Sequence, residues 1–316
     1  MDIMKLRPAG KDYIWGGTRL KKEYNKDIGM NRISETWECS VHPDGQSKVV
    51  SGEYTGSTFD RVIEEHPEYL GKNNKSGFPV LIKFIDAEKD LSVQVHPDDE
   101  YARIHEHQNG KTEMWYVMEA DKNTSLIYGF EHEISESAVR KAVDEGNITE
   151  YLHHVEVHKG DVFYIPAGTV HAIGKGAVIA EIQENSNVTY RVYDYDRTDK
   201  DGNKRELHTE KALEVMSRRP AKKIKSYDDY FECPAYSFIT LCSCRYFTTE
   251  KVNVNESYTF NVTDDSFQVI LCTEGCGTVQ DKNSKVSMIK GDCIFLPANT
   301  GKIEVVGKTE FLKVRC

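Results

Sequence analysis

Gly160-Asp161-Val162-Phe163-Tyr164-Ile165-Pro166-Ala167-Gly168-Thr169 returns near the C-terminus as Gly291-Asp292-Cys293-Ile294-Phe295-Leu296-Pro297-Ala298-Asn299-Thr300. Gly, Asp, Pro, Ala and Thr recur at matching places, and the residues between Asp and Pro stay apolar. Gly supplies a tight turn, the apolar run reads as a short strand, and Pro ends the hydrogen-bonded ladder. One edge of a small jelly-roll barrel can be written this way, and its recurrence predicts two related barrels. Continued without gaps, the alignment sets His171 of the first copy opposite Lys302 of the second. A function that uses His171 therefore belongs to the first barrel, and the second is a degenerate, structural copy.

Working outward, short runs rich in Val, Ile, Tyr and Phe dominate: 80–84, 91–95, 114–118, 162–165, 178–182 and 189–193. Turn residues separate them, which is an all-β pattern. Helical spacing interrupts it at 58–70, opened by a Ser57 or Thr58 cap, at 135–152 and at 209–218. The predicted fold class is all-β with helical decorations. After Arg219-Pro220 the Lys-rich stretch 221–225 reads as a linker. It divides the chain into a catalytic unit, 1–222, and a C-terminal unit, 223–316, without metal.

The 316 residues carry a formal charge of −10, and the pI is near 5.6. An acidic excess with scattered basic residues excludes a nucleic-acid surface, which needs clustered Lys and Arg. No run of 18 apolar residues suggests a membrane span, and Met1-Asp2-Ile3-Met4-Lys5 leads into polar sequence. A soluble cytoplasmic protein is expected. Cys39 stands alone, and the other seven cysteines lie between Cys233 and Cys316. None forms paired Cys-x-x-Cys knuckles, so they read as reduced structural thiols rather than metal ligands or disulfides.

Chemistry concentrates elsewhere. In Leu91-Ser92-Val93-Gln94-Val95-His96-Pro97, alternation puts Ser92, Gln94 and His96 on one face and Leu91, Val93 and Val95 on the other. Glu113 precedes the apolar run Met114-Trp115-Tyr116-Val117, and His171 follows the Pro166-Ala167 strand end. Two imidazoles, a carboxylate and an amide oxygen would form a four-ligand site suited to zinc, though iron or manganese accept similar donors. With one carboxylate the centre stays positive, so it polarises a hydroxyl or carbonyl oxygen and stabilises charge developing on an adjacent carbon.

Gln94-Val95-His96-Pro97, Lys111-Thr112-Glu113-Met114-Trp115-Tyr116 and Pro166-Ala167-Gly168-Thr169-Val170-His171-Ala172 resemble the three metal-binding blocks of type I mannose-6-phosphate isomerases of the cupin superfamily. Tyr13-Ile14-Trp15-Gly16-Gly17 and Glu35-Thr36-Trp37-Glu38-Cys39-Ser40-Val41-His42-Pro43 resemble that family's N-terminal patterns. Gln183-Glu184-Asn185-Ser186-Asn187 and Tyr190-Arg191-Val192-Tyr193-Asp194 resemble its later ones. The resemblance spans most of residues 5–220 and is vaguer beyond 222. It implies two cupin-like barrels, one Zn2+ per chain on Gln94, His96, Glu113 and His171, and an active-site arginine at Arg191. Mannose 6-phosphate and fructose 6-phosphate are the implied substrates. Arg191-Val192-Tyr193 departs from the Arg-Ala-Gly segment of the longer members, so the chain resembles the short bacterial form.

Aldose–ketose interconversion moves a proton between C1 and C2 through an enediol, so it needs a base, a hydroxyl-proton shuttle and an electrophile. Arg191 stays protonated, so it neutralises an enediolate or binds phosphate; a surface salt bridge to Asp194 or Asp196 is the bland reading. Glu181, in an apolar strand, could carry the raised pKa of a base, or point to water at a strand edge. Lys83 and Lys111 match lysines lining the family's pocket; alone, each would be read as a snorkelling surface residue. Ser92 is an expected sugar contact, and Trp15 and Trp37 are read as a sugar platform or as packing residues, with Trp15 taken as the contact. His105, His107, His153 and His154 read as solvated surface. A non-catalytic sugar-binding cupin and an iron-dependent cupin dioxygenase remain as alternatives.

Overall fold

The computed structural model describes residues 2–198, 201–221 and 230–316. Three antiparallel sheets are stacked. The central one runs in the order Val162–Ile165, Glu113–Ala120, Ala177–Glu184, Val80–Asp86, Glu35–Cys39, Ala9–Lys11. A five-stranded sheet covers one face, in the order Tyr190–Tyr193, Val93–Val95, His171–Ile173, Ser125–Phe130, Leu152–Glu156. A ten-stranded sheet, whose longest strands are Gln268–Gln280 and Gly301–Arg315, covers the other.

Alternation along each central strand feeds two different cores. Trp115, Val117, Ile179 and Ile85 meet Leu126, Tyr128 and Ile173 of the five-stranded sheet. Their neighbours Met114, Tyr116, Val178, Ala180, Ile82 and Phe84 meet Val269, Leu271, Phe295, Leu312 and Val314 of the ten-stranded sheet. A sheet buried on both faces shows no polar alternation, and every residue of Val80–Asp86 and Ala177–Glu184 is buried. The far face of the five-stranded sheet, with Val93, Val95, Ala172, Tyr190 and Val192, is covered by Val139 and Ala142 of helix Glu136–Asp144 and Ala212 and Leu213 of helix Thr209–Val215. The helices are the decorations that the sequence pattern predicts.

The repeat is a repeat in three dimensions. Val162–Ile165 and Cys293–Leu296 are both strands. Gly160 and Gly291 take φ of +95° and +94°, and Gly168 and Asn299 are both left-handed. Asp161 accepts from the His158 amide at 2.7 Å, and Asp292 accepts from the Ile289 amide at 2.7 Å. Lys302 is exposed on its strand, whereas His171 is fully buried.

The sheets are open, facing layers rather than closed barrels. Two N-terminal strands, Met4–Arg7 and Lys48–Val49, join the ten-stranded sheet through Cys293–Leu296, so hydrogen bonding crosses between the two halves of the sequence. Residues 222–225 of the expected linker, and the division at 222, lie outside the described residues.

The helices are shorter than their spacing suggests. The 58–70 segment divides into Phe59–Glu65 and a 3-10 turn Pro67–Leu70, because Pro67 disfavours helical geometry at His66 and cannot donate to the ladder. Thr58 occupies the cap position without a side-chain capping bond. The 135–152 segment ends its α-helix at Asp144, before Gly146 at φ +73°, and Leu152 already belongs to a strand. Ser135 does cap, accepting from the Ala138 amide at 3.2 Å. The strand expected over 91–95 contracts to Val93–Val95. All eight thiols are free; Cys39, Cys242, Cys272 and Cys293 are buried, and Cys276 is exposed.

Candidate active site

Strand register assembles the site between the central and five-stranded sheets. On the latter, His171 pairs with Gln94 and Gln94 with Arg191, so the three stand side by side across adjacent strands. Residues directly opposite in a ladder share one face, and Val93 and Val95 occupy the other. On the central sheet, Trp115, Glu181, Lys83 and Trp37 form a second row. Glu113, two residues before Trp115, extends from the same face.

Between the rows, His96, Glu113 and His171 bring one ligand atom each to within 4.8 Å of one another; this is the one such cluster among the described residues. His171 Nε2 lies 3.3 Å from Glu113 Oε1, and His96 Nε2 lies 3.5 Å from Glu113 Oε2. His171 turns its Nδ1 toward the Thr169 carbonyl oxygen at 2.8 Å, which fixes that nitrogen as the N–H and leaves Nε2 as the donor atom. Both ring nitrogens of His96 and Glu113 Oε1 are buried without a hydrogen bond, and Glu113 Oε2 has the Lys111 ammonium at 3.0 Å. So many orphaned donors in a dry site are costly unless a cation gathers them. Burial holds the His171 imidazole down to about 4. Burial, then the Lys111 charge, holds His96 well below its usual range. Both rings are therefore neutral at physiological pH, the state metal ligation requires. The residues fit a divalent metal. Gln94 Nε2 stands 3.3 Å from His171 Nε2; turning the amide over presents its oxygen to the same spot.

Glu181 sits beside this cluster. It is buried, not at a wet strand edge. It accepts from Trp115 Nε1 at 2.9 Å, and Lys83 Nζ lies 3.3 Å away. Burial raises its carboxyl, but Lys111 and Lys83 outweigh burial and the net shift is downward. The raised pKa expected from an apolar strand is reversed by cations that the sequence does not place nearby. The upward shift falls instead on Glu113, pushed to about 7 by burial and by Glu181. Lys83 and Lys111 are themselves buried rather than snorkelling; Lys111 Nζ is 3.0 Å from Glu113 Oε2, and Lys83 is 3.8 Å from Glu35.

A cavity of about 270 Å³ lies beside this cluster, lined by Gln94 but not by His96, Glu113 or His171. Trp15, Lys83, Ser92, Gln94, Lys111, Glu181 and Arg191, every non-buried-ligand residue expected from sequence, line it. Arg191 makes neither surface salt bridge: Asp194 is taken by Arg197 and Arg205, and Asp196 by Lys204. Trp37 is packed beneath the site instead, giving its indole N–H to Glu35 at 2.8 Å. Tyr13, Glu35, Asn187, Thr189 and Arg205 also line the cavity and are the polar residues to which sequence reasoning gave no role. Tyr13 and Glu35 lie inside stretches already singled out, whereas Arg205 follows a loop with no motif. His105 and His154 are exposed or partly so on the surface, as expected.

The description of phosphomannose isomerase type I, catalytic domain, matches residues 3–125, and that of the mannose-6-phosphate isomerase cupin domain matches 237–316. Mannose-6-phosphate isomerase ManA of Bacillus subtilis is 39% identical over 96% of both chains. The mannose-6-phosphate isomerase of Streptococcus mutans is 38% identical over 95% of this chain and 93% of its own. The crystal structure of a Bacillus subtilis mannose 6-phosphate isomerase superposes with a TM-score of 0.93 at 34% identity, covering 99% of each chain. Fold, site and relatives define a sugar-phosphate isomerase built on cupin sheets. The chain belongs to the type I mannose-6-phosphate isomerase family.

Proposed function

We propose that the chain interconverts mannose 6-phosphate and fructose 6-phosphate through an enediol at one zinc held by Gln94, His96, Glu113 and His171. The observation that carries this reading is the buried His96–Glu113–His171 cluster standing beside a cavity that Gln94, the Glu181–Lys83 pair and Arg191 line. When bound, zinc supplies an electrophile that polarises the substrate's C1 and C2 oxygens.

The chain's own residues do the rest. Glu181, held ionised, takes the proton from C2 of the aldose as the C–H electron pair forms the C1–C2 double bond, and the carbonyl oxygen at C1 gains a proton. It then returns a proton to C1 while the C2 hydroxyl loses its own and becomes the ketone. Lys111 and Lys83, buried beside the carboxylates, move and hold the hydroxyl protons. Arg191, next to Gln94 across the ladder, neutralises the charge that develops on the enediolate. Ser92 and Trp15 contact the sugar.

We read residues 1–222 as the catalytic cupin unit and 223–316 as a second, metal-free one, supported by the duplicated Gly-Asp turn and by the exposed Lys302. A phosphorylated sugar does not cross a bilayer unaided, which puts its isomerase in the cytoplasm. Among the described residues no helix is long and apolar enough to cross a membrane.

The test is conversion of mannose 6-phosphate with and without a chelator, with metal analysis of the purified protein. Turnover lost to the chelator and restored by zinc is expected. Iron in the purified protein would favour the dioxygenase reading, and binding of sugar without turnover by zinc-loaded protein would favour the sugar-binding one.

A further inference from the structure

Two guanidiniums, Arg191 and Arg205, line the cavity, and behind Arg205 lie a buried carboxylate, Asp194, and a third guanidinium, Arg197. Asp194, 5% exposed, accepts from Arg205 Nε at 2.7 Å and Nη2 at 2.5 Å. It also accepts from Arg197 Nη2 at 2.5 Å. Arg197 spends further donors on backbone oxygens, those of Asp90 and Asp194. Arg205 is different: Asp194 takes two nitrogens along one edge, Nη1 has no protein partner among the described residues, and the side chain lines the cavity. Arg191 lines the same cavity; its Nη1 donates to the Glu206 carbonyl oxygen at 2.7 Å, while its Nε is buried without a partner. Glu206 sends its own carboxylate to solvent, 82% exposed. Burial, then the charge of Arg205, lowers the Arg191 guanidinium from its usual range, and both guanidiniums line the same cavity. Thr189 and Asn187 add a hydroxyl and an amide to the same wall. Like charges held together with free N–H donors await an anion with several acceptor oxygens.

We infer that Arg205, buttressed by Asp194, binds the phosphate group of the substrate, leaving Arg191 to the enediolate, and makes the enzyme selective for phosphorylated over free sugars. The inference rests on the isomerase reading above and adds its second pole: hydroxyl chemistry at the His–Glu–His end, a dianion at the guanidinium end. Asp194 is a positioning residue. It touches no substrate; its salt bridge holds the Arg205 fork by one edge so that the other faces inward.

The experiment is steady-state kinetics on zinc-loaded wild type, Arg205→Ala, Asp194→Asn and the double variant, with inorganic phosphate as competing probe. Arg205→Ala should raise KM for mannose 6-phosphate by about 10- to 100-fold, the range for a lost charge-assisted hydrogen bond, with a smaller fall in kcat. Its inhibition by inorganic phosphate should weaken by a similar factor, and its preference for mannose 6-phosphate over mannose should shrink. Asp194→Asn should move KM the same way, and adding it to Arg205→Ala should cost little more, because both remove one interaction. A merely structural role would lower kcat and the unfolding temperature without changing phosphate inhibition. If wild type turns over but Arg205→Ala keeps its KM and phosphate inhibition, the assignment of Arg205 falls and the isomerase reading stands. If zinc-loaded wild type shows no turnover, the isomerase reading falls first.

Discussion

Gln94 has His171 on one side and Arg191 on the other across the ladder, yet losing each neighbour should read out differently. His171→Ala removes a donor atom from the cluster, so bound metal and activity should vanish together in metal analysis and assay. Arg191→Ala leaves every donor in place; it should keep its metal and lose turnover by about 100-fold or more, the scale of a lost oxyanion stabiliser. Normal turnover by the arginine variant would remove Arg191 from the mechanism. The residues were readable in unequal measure. His96, Glu113 and His171 carry their chemistry in their type and motif. Lys83 and Glu181 sit in strands buried on both faces, so no alternation marks which way they point, and only register shows that they meet. The direction of the Glu181 shift depends on two lysines from other strands and was not legible at all.

At the scale of elements, the duplicated Gly-Asp turn offers a controlled comparison. Gly160 and Gly291 share a φ near +95°, but a Cβ at Gly160 would meet nothing within 4 Å, whereas at Gly291 it would lie 2.0 Å from the Tyr24 carbonyl oxygen. Gly160→Ala should cost about 1–2 kcal/mol of unfolding free energy from backbone strain alone. Gly291→Ala should cost roughly 3 kcal/mol or more, since the clash adds to the strain. Denaturant midpoints measure both, and equal losses would mean that surroundings do not matter. The strands 162–165 and 178–182 were close to legible because Pro, Gly and β-branched residues punctuate them. Helix ends were less so: Pro67 and Gly146 stop helices whose apolar spacing continues past them.

For the molecule as a whole, the junction between the central and ten-stranded sheets holds a buried ion pair. Lys26 Nζ lies 2.6 Å from Glu38 Oε2, with the side chains 5% and 0% exposed, and Lys26 also donates to the Gly291 carbonyl oxygen. Removing one partner strands the other charge. Lys26→Met or Glu38→Leu alone should therefore destabilise the fold by about 3–5 kcal/mol, while the double replacement should recover most of that loss. Chemical denaturation of the three variants checks it; additive losses would show that the pair does not act as one.

The sequence by itself determined the β-rich class, the repeat, the family and the residues of the His96–Glu113–His171 cluster, because residue type, turn chemistry and motif spacing are local properties. Tertiary structure alone decided that the central sheet is buried on both faces. It also decided that N-terminal strands complete the C-terminal sheet, and that Arg205 reaches the cavity held by Asp194. Those outcomes depend on which distant strands pair and in what register, and no stretch of chain carries that information alone.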